Sequence, residues 1–411
     1  MTKIKIKNFG AIQEGYQEAG GYMDIKKVNV FIGDQGSGKS TIAKVFSSLS
    51  WLEKALNRGD VRWDKLSNHY FEELFEYQRI NNYFKNDTYI EYVGDYMHFK
   101  YDDKTWEVPI QIINLDKKYL VPKIMFVPSE RNFLSVIENA NDITRLPGAL
   151  LTFGEELKNA QKEFAGLEIS LPISDQNIKY KYNPKEDASY IIVKGSPLNL
   201  LEAASGFQSL IPMFLVSKYL AYDLSKDVKD PREKLSVNQR FRLNEELARF
   251  NPNIIPGEEW IQRNEEIYSK YINTCFINIV EEPEQNLFPT SQRLMLQSLL
   301  EFTNEMLGNK LIITTHSPYL INYLTLAVEA SKLKDKVTTD DLKFRLNHIV
   351  PLPSMINGED LAIYQLDENN GSIEKLKTYK GLPSDENYLN GGLAESNELF
   401  SQLLEIEDLC Q

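Results

Sequence analysis

Apolar and polar positions along this chain follow two periods, and the switches between them mark out the elements. Residues Lys3-Ile4-Lys5-Ile6-Lys7 alternate with a period of two, which predicts a strand with one apolar face. Val28-Asn29-Val30-Phe31-Ile32, Phe276-Ile277-Asn278-Ile279-Val280 and Leu311-Ile312-Ile313 are short, mostly apolar runs and read as buried strands. Phe207, Leu210, Ile211, Phe214 and Leu215 recur at helical spacing. So do Leu296, Leu299, Leu300 and Leu307, and earlier Phe71, Leu74 and Phe75. Proline is comfortable only in a first turn, so Pro212 predicts that the regular part of its helix begins near Ser209. Alternating residues around Tyr89–Val108 read as a β-hairpin. Residues 132–270 read as otherwise mostly helical, with Lys179-Tyr180-Lys181-Tyr182 as a solvated strand face.

Chemistry enters at the end of the second strand. Gly33-Asp34-Gln35-Gly36-Ser37-Gly38-Lys39-Ser40 is a complete phosphate-binding loop, and it leads through Thr41 into a helix-favouring run, Ile42-Ala43-Lys44-Val45-Phe46. Strand, glycine loop and helix in that order are the context this pattern requires. The glycines let successive N–H groups converge on a β-phosphate at the positive end of the helix. Lys39 would place a cation on the β/γ oxygens, and the Ser40 hydroxyl would coordinate Mg²⁺.

Three further clusters follow. The strand ending in Glu281-Glu282-Pro283-Glu284 projects acids from its C-terminal tip. In open α/β sheets the ligand lies beyond the carboxyl ends of the strands, so Glu281 is placed to hold the Mg²⁺ shell and Glu282 to polarise an attacking water. Lys310-Leu311-Ile312-Ile313-Thr314-Thr315-His316-Ser317-Pro318 delivers one of only four histidines to a strand tip a helix-length later. His316 is therefore expected to contact the γ-phosphate. Ser205-Gly206 stands where a helix begins, offering a hydroxyl, free N–H groups and a positive dipole end to a γ-phosphate; the residues alone leave an ordinary N-cap open.

Composition narrows the compartment and the partners. The 411 residues are 42% hydrophobic and 26% charged, and no apolar run approaches membrane-spanning length. Neither an export signal nor a disulfide framework is expected, with two cysteines, Cys275 and Cys410, in the whole chain. The cytoplasm is the expected location. A net charge of −13 argues against coating nucleic acid, because phosphate neutralisation needs clustered Lys and Arg; a local basic groove is left open.

Phosphate loop, Ser-Gly element, Glu-Glu strand and histidine, in that order, resemble the ATP-binding-cassette class of ATPase. The soluble branch shared by RecF, SMC and OLD proteins fits best, in particular the stand-alone AAA-15/AAA-21-like antiphage defence ATPases. Ile4-Lys5-Ile6-Lys7-Asn8-Phe9-Gly10 resembles that branch's first strand and Asn-Phe turn, and Val127-Pro128-Ser129-Glu130-Arg131 resembles its strand-end Pro-x-Glu-Arg element. Departures are a signature lacking its second glycine (Ser205-Gly206-Phe207-Gln208) and Phe288 where the branch often has His. No magnesium-contacting glutamine is assigned.

The resemblance implies an α/β P-loop NTPase: an ABC-ATPase head with a mixed-sheet core lobe, a helical signature lobe and insertions. The chain is expected to divide into residues 1–60 and 271–411 of the core lobe, a helical lobe at 121–270, and between them an aromatic-rich span at 61–120 that reads as an insertion contacting a partner or equally as additional core. The resemblance implies two heads that sandwich two ATPs, with Lys39, Ser40, Glu281, Glu282 and His316 acting in cis and Ser205 and Gly206 in trans. Seventy-five positions separate Gly206 from Glu281, with Pro231, Pro252 and Pro256 among them, so SMC-like coiled-coil arms are not expected. After His316 come 95 residues without an Asp-x-Asp pair, and no TOPRIM nuclease is expected there. The expected function is an ATPase that forms a homodimer or higher homo-oligomer and controls a separate nuclease or toxin in antiphage defence. The alternatives are a RecF-like DNA-repair ATPase and an ATP-gated scaffold with little turnover.

Overall fold

Seven strands, numbered in chain order, form the central sheet: β2 (Gly15–Tyr16), β16 (Ser372–Lys375), β15 (Leu361–Leu366), β4 (Val28–Gly33), β14 (Lys310–Thr314), β13 (Cys275–Glu281) and β8 (Pro122–Val127). From β15 to β8 every pairing is parallel. β16 runs antiparallel to β15, which makes the sheet mixed. This is an α/β architecture. The computed structural model describes residues 2–102, 110–113, 119–136, 146–173, 177–225, 235, 237–249 and 257–409. Val108, Pro231, Pro252 and Pro256 lie outside the described residues.

The near-continuous apolar runs are explained by burial on both faces. Along β4, Val28, Val30 and Ile32 enter a core shared with helices α3 (Gly148–Glu163), α4 (Ser205–Ser225), α7 (Pro289–Asn304) and α8 (Pro318–Lys334), whereas Phe31 points the other way. There it meets α1 (Lys39–Arg58) and a second sheet of β3 (Met23–Asp24), β1 (Lys3–Phe9), β5 (Phe84–Val93), β6 (Met97–Asp102) and β7 (Ile110–Ile112). Fifteen of the twenty residues of α1 are buried between the two sheets, so even its polar groups need partners. Glu53 accepts from the Tyr96 and Met97 N–H groups at 2.8 and 2.9 Å and from the Tyr92 hydroxyl at 3.0 Å. Burial nevertheless pushes its carboxyl up to about 7. Lys54 donates to Pro122 O and Asn273 Oδ1, both at 2.7 Å, and burial brings its ammonium down to about 7.

In the described part of the aromatic-rich span, Phe71, Phe75, Phe99 and Tyr101 pack as core, whereas Trp63 and Tyr77 stay exposed. β5 pairs antiparallel with β1 from Lys3↔Val93 to Lys7↔Tyr89, and α2 (Asn68–Glu76) buries Phe71 and Phe75 against Phe9, Phe84 and Tyr101. Each buried aromatic contributes about 1.5–3 kcal/mol, which ties this span to the first strand.

Three expectations from the pattern need correction. The stretch read as mostly helical contains a four-stranded antiparallel sheet of β12 (Ser196–Asn199), β11 (Ala188–Val193), β10 (Lys179–Asn183) and β9 (Glu168–Ser170). Its Lys-Tyr alternation is solvated on one face only, since Tyr180 and Tyr182 join the main core. Leu307 does not mark α7, which ends at Asn304 and leaves Leu307 89% exposed. Finally, α4 starts at Ser205 with Pro212 inside it. The proline has no N–H for the Gln208 carbonyl, and the Ser135 hydroxyl donates to that oxygen instead, at 3.0 Å.

The remaining elements lie around this frame. Helices α5 (Val237–Ala248) and α6 (Gly257–Tyr271) pack on each other through Leu243, Ile267 and Tyr271. Helices α9 (Asp340–Ile349) and α10 (Tyr388–Leu409) and the strand pair β17 (Thr378–Tyr379) and β18 (Leu382–Pro383) fall in the C-terminal part.

Candidate functional site

The tips of β4, β14 and β13 stand side by side. Thr314 on the middle strand is level with Phe31 on one side and Glu281 on the other. The loop after β4 is therefore on one flank, the Glu281-Glu282 pair on the other and His316 between them. The sequence had placed the histidine on a strand next to the acids; the sheet order adds that this strand separates the acids from the loop.

Backbone geometry explains the glycines. Gly38 caps α1 at φ +104°, a left-handed conformation. A Cβ on Gly33 would lie 2.5 Å from Leu366 O and 2.9 Å from Ser37 Oγ. Asp34, Gln35 and Gly36 form the exposed crest, Ser37 is buried, and Ser40 and Thr41 open the helix. Lys39 folds over the loop, donating to Gly33 O at 2.8 Å and Asp34 O at 2.7 Å. Burial lowers its ammonium to about 8, against the opposing pull of Glu282, Asp34 and Glu284. The loop thus holds a partly desolvated cation on neutral carbonyls that anionic oxygens would outbid.

Glu281 is almost wholly buried at the end of β13. Desolvation raises its carboxyl; the Lys44 charge, the facing Ser40 hydroxyl and the Ser129 N–H oppose this. Oε2 receives a long 3.4 Å contact from Ser129 N, and among the described residues Oε1 has no hydrogen-bond partner. An orphaned carboxylate oxygen beside a serine hydroxyl is the donor set that a hard divalent cation uses together with phosphate and water. Among the described residues no group of three His, Cys, Asp or Glu could hold a metal unaided. The pair at Ser40 and Glu281 fits an ion that arrives with phosphate, because a carboxylate oxygen without a partner among the described residues faces a hydroxyl.

Glu282 takes φ +44°, a left-handed conformation that costs a non-glycine residue about 1–3 kcal/mol. This kink turns its carboxylate out of the strand direction, half exposed, to 4.0 Å from His316 Nε2. Desolvation and then the Lys39 charge lower the His316 imidazole below its usual value, which favours a neutral ring near pH 7. Glu284 positions the turn that carries His316, accepting from Thr315 Oγ1 and His316 N, both at 2.8 Å.

Ser205 is exposed at the first turn of α4 and Gly206 is half-buried. A Cβ on Gly206 would come within 2.8 Å of Asn286 O, in the loop after β13. The structure thus gathers Lys39, Ser40, Glu281, Glu282 and His316, and sets the Ser-Gly turn against the segment following the acids rather than among them. Two contributors escaped the sequence reading. Glu284 and Arg131 were visible in quoted motifs, but their roles depend on which strands are neighbours. Arg131 follows β8, and β8 is the neighbour of β13.

A family model described as AAA ATPase domain matches residues 254–321, a segment that includes Glu281, Glu282 and His316. No curated protein matches the chain. Among solved structures, the SMC head domain from Thermotoga maritima is similar at 9% identity and TM-score 0.39, covering 92% of this chain and 98% of that one. An Smc head domain with an extended coiled coil, bound to the C-terminal domain of ScpA derived from Pyrococcus furiosus, gives 9% identity and TM-score 0.39, covering 98% of this chain and 100% of that one. A dimeric post-hydrolysis ATP-binding cassette bound to ADP and Pi gives 13% and 0.26, covering 92% and 100%. Similarities this low carry no weight for function. The matched domain and the complete phosphate loop make the chain an ATPase of the P-loop α/β class. Among the described residues no helix is long and apolar enough to cross a membrane.

Proposed function

We propose that this chain is the ATP-binding and hydrolysing subunit of a cytoplasmic assembly in which two copies close on ATP, and that the closure controls a separate nuclease or toxin in antiphage defence. One observation carries the catalytic part: the lysine loop, the buried carboxylate with an orphaned oxygen, the kinked Glu282 and His316 share three adjacent strand tips. The N–H groups of Gly36–Ser40 and the Lys39 ammonium would bind the β- and γ-phosphates. Mg²⁺, held by Ser40 and Glu281, would supply charge neutralisation at those oxygens. Glu282 would take a proton from water as the water oxygen bonds to the γ-phosphorus and the bond from that phosphorus to the β–γ bridging oxygen breaks, giving ADP and phosphate. A neutral His316 can donate from Nε2 to a γ-oxygen.

The dimer part is supported by the exposed Ser205, whose neighbour Gly206 packs against Asn286 O of the same chain, so that the turn presents the serine outward to another copy's nucleotide. Light scattering tests it: the wild type is expected to double in mass with a non-hydrolysable ATP analogue and to stay single with ADP. Ser205→Arg should keep ATP affinity but fail to double. A wild type that turns ATP over while remaining single would overturn the sandwich. For the effector, co-expression with its genomic neighbours should yield a stoichiometric complex on weighing.

Lys39 gives the reading a pH dependence. Its charge is present below about 8 and is lost as pH rises through that value. ATP affinity should therefore fall from pH 7 to 9, approaching roughly tenfold per unit at the upper end. Calorimetric titration should find Lys39→Ala weak and nearly flat across the same range.

A further inference from the structure

The buried guanidinium of Arg131 ties together three elements that meet behind the site. Arg131 is fully buried in the turn after β8 and donates to four backbone carbonyls. Nη1 reaches Pro128 O at 3.1 Å and Glu281 O at 2.7 Å, Nη2 reaches Glu282 O at 2.7 Å, and Nε reaches Ser209 O at 3.0 Å. Its hydrogen bonds go to backbone oxygens, while the charges of Glu284, Glu282, Glu281 and Glu130 face it electrostatically. Burial lowers the guanidinium only to about 10, so it stays charged at neutral pH.

The choice of acceptors matters. Glu282 is the residue in the left-handed conformation, and both its backbone groups are pinned: its N–H by Thr314 O at 2.9 Å and its carbonyl by Arg131. Ser209 is one helical turn beyond Ser205 in α4. Two more bonds hold the same turn, from Asn286 Nδ2 to Ser209 Oγ at 2.9 Å and from Ser135 Oγ to Gln208 O at 3.0 Å. A planar, forked donor can bridge a strand end and a helix start at once; a lysine, with its point-like ammonium, cannot.

We infer that Arg131 is a positioning residue that locks Glu282 and the first turn of α4 into one rigid unit, so that engagement of Ser205-Gly206 by a second copy's nucleotide reaches the hydrolytic carboxylate of the first. The inference rests on the ATP-sandwich reading above. It assigns Arg131 no contact with nucleotide, which separates it from a phosphate-binding arginine.

The test uses Arg131→Met, Arg131→Lys and each paired with Glu282→Gln, in the full chain. Arg131→Met should keep ATP affinity within about threefold by titration and KM nearly unchanged, while kcat falls roughly fiftyfold or more. Arg131→Lys should recover part of kcat. In the Glu282→Gln background, where hydrolysis cannot reopen the pair, intact Arg131 should give a persistent ATP dimer and Arg131→Met should abolish it. Wild-type kcat in Arg131→Met, or an undiminished dimer in the double variant, would overturn the inference. So would equal loss of ATP affinity and near-ultraviolet dichroism in both the Met and Lys variants, which marks a merely structural role. If Glu282→Gln alone forms no ATP dimer, the sandwich reading fails and the link to a second copy fails with it. The lock on Glu282 is then read separately, from kcat at constant ATP affinity.

Discussion

Glu282→Gln is expected to reduce kcat for ATP hydrolysis by about 10²–10⁴-fold while leaving ATP affinity within a few fold. The amide has the size of the carboxylate but cannot take a proton from water. Its backbone N–H and carbonyl partners, Thr314 O and Arg131 Nη2, are independent of the side chain, so the left-handed turn survives. Among the described residues, the close side-chain relation it disturbs is the 4.0 Å approach to His316. Single-turnover rates together with equilibrium ATP binding separate the outcomes. A variant that hydrolyses ATP at the wild-type rate would move the base elsewhere, and Glu281, Glu284 and Glu130 would be the next carboxylates to test. The same variant decides between a turnover-driven machine and an ATP-gated scaffold in cells: the scaffold keeps its activity, the machine loses it or locks.

Lys39→Ala should weaken ATP binding by roughly 30–1,000-fold, the loss expected when a charge-assisted contact worth about 2–4 kcal/mol is removed from a phosphate site. In the free protein the effect on stability should be small. Lys39 is desolvated there and donates to two carbonyls and, at 3.4 Å, to Ser37 Oγ of the same loop, so removing it takes away a buried charge as well as these bonds. Thermal melts with and without ATP and Mg²⁺ read both terms: the free variant should melt near the wild type, and the rise in Tm on adding ATP should disappear. A variant that keeps the ATP-induced rise would remove Lys39 from the phosphate site.

Local patterns carried much of the molecule. The loop Gly33–Ser40 was legible because a tight turn needs glycine at positive φ and phosphate needs convergent N–H groups, and both demands fall on consecutive residues. Strands β4, β13 and β14 were legible because burial on both faces leaves no room for polar alternation. The sheet at 168–199 was not: it is short-stranded and half-solvated, and its single Lys-Tyr alternation carries the same local signal whether the tyrosines face water or a core. Pro212 misled for a related reason, since its cost inside a helix is offset by Ser135, seventy-seven positions earlier in the chain.

Chemical identity in this protein is thus a matter of neighbours in the chain: which residue types stand next to one another settles the phosphate loop, the paired acids and the strand-borne histidine. Spatial arrangement belongs to the folded molecule alone. That His316 lies between the loop and the acids follows from β14 pairing with both β4 and β13. That Arg131 holds Glu282 follows from β8 lying beside β13, although about 150 residues separate them along the chain. Hydrogen bonds to backbone carbonyls demand no particular side chain from their acceptor, so no pattern of residue types could have announced them.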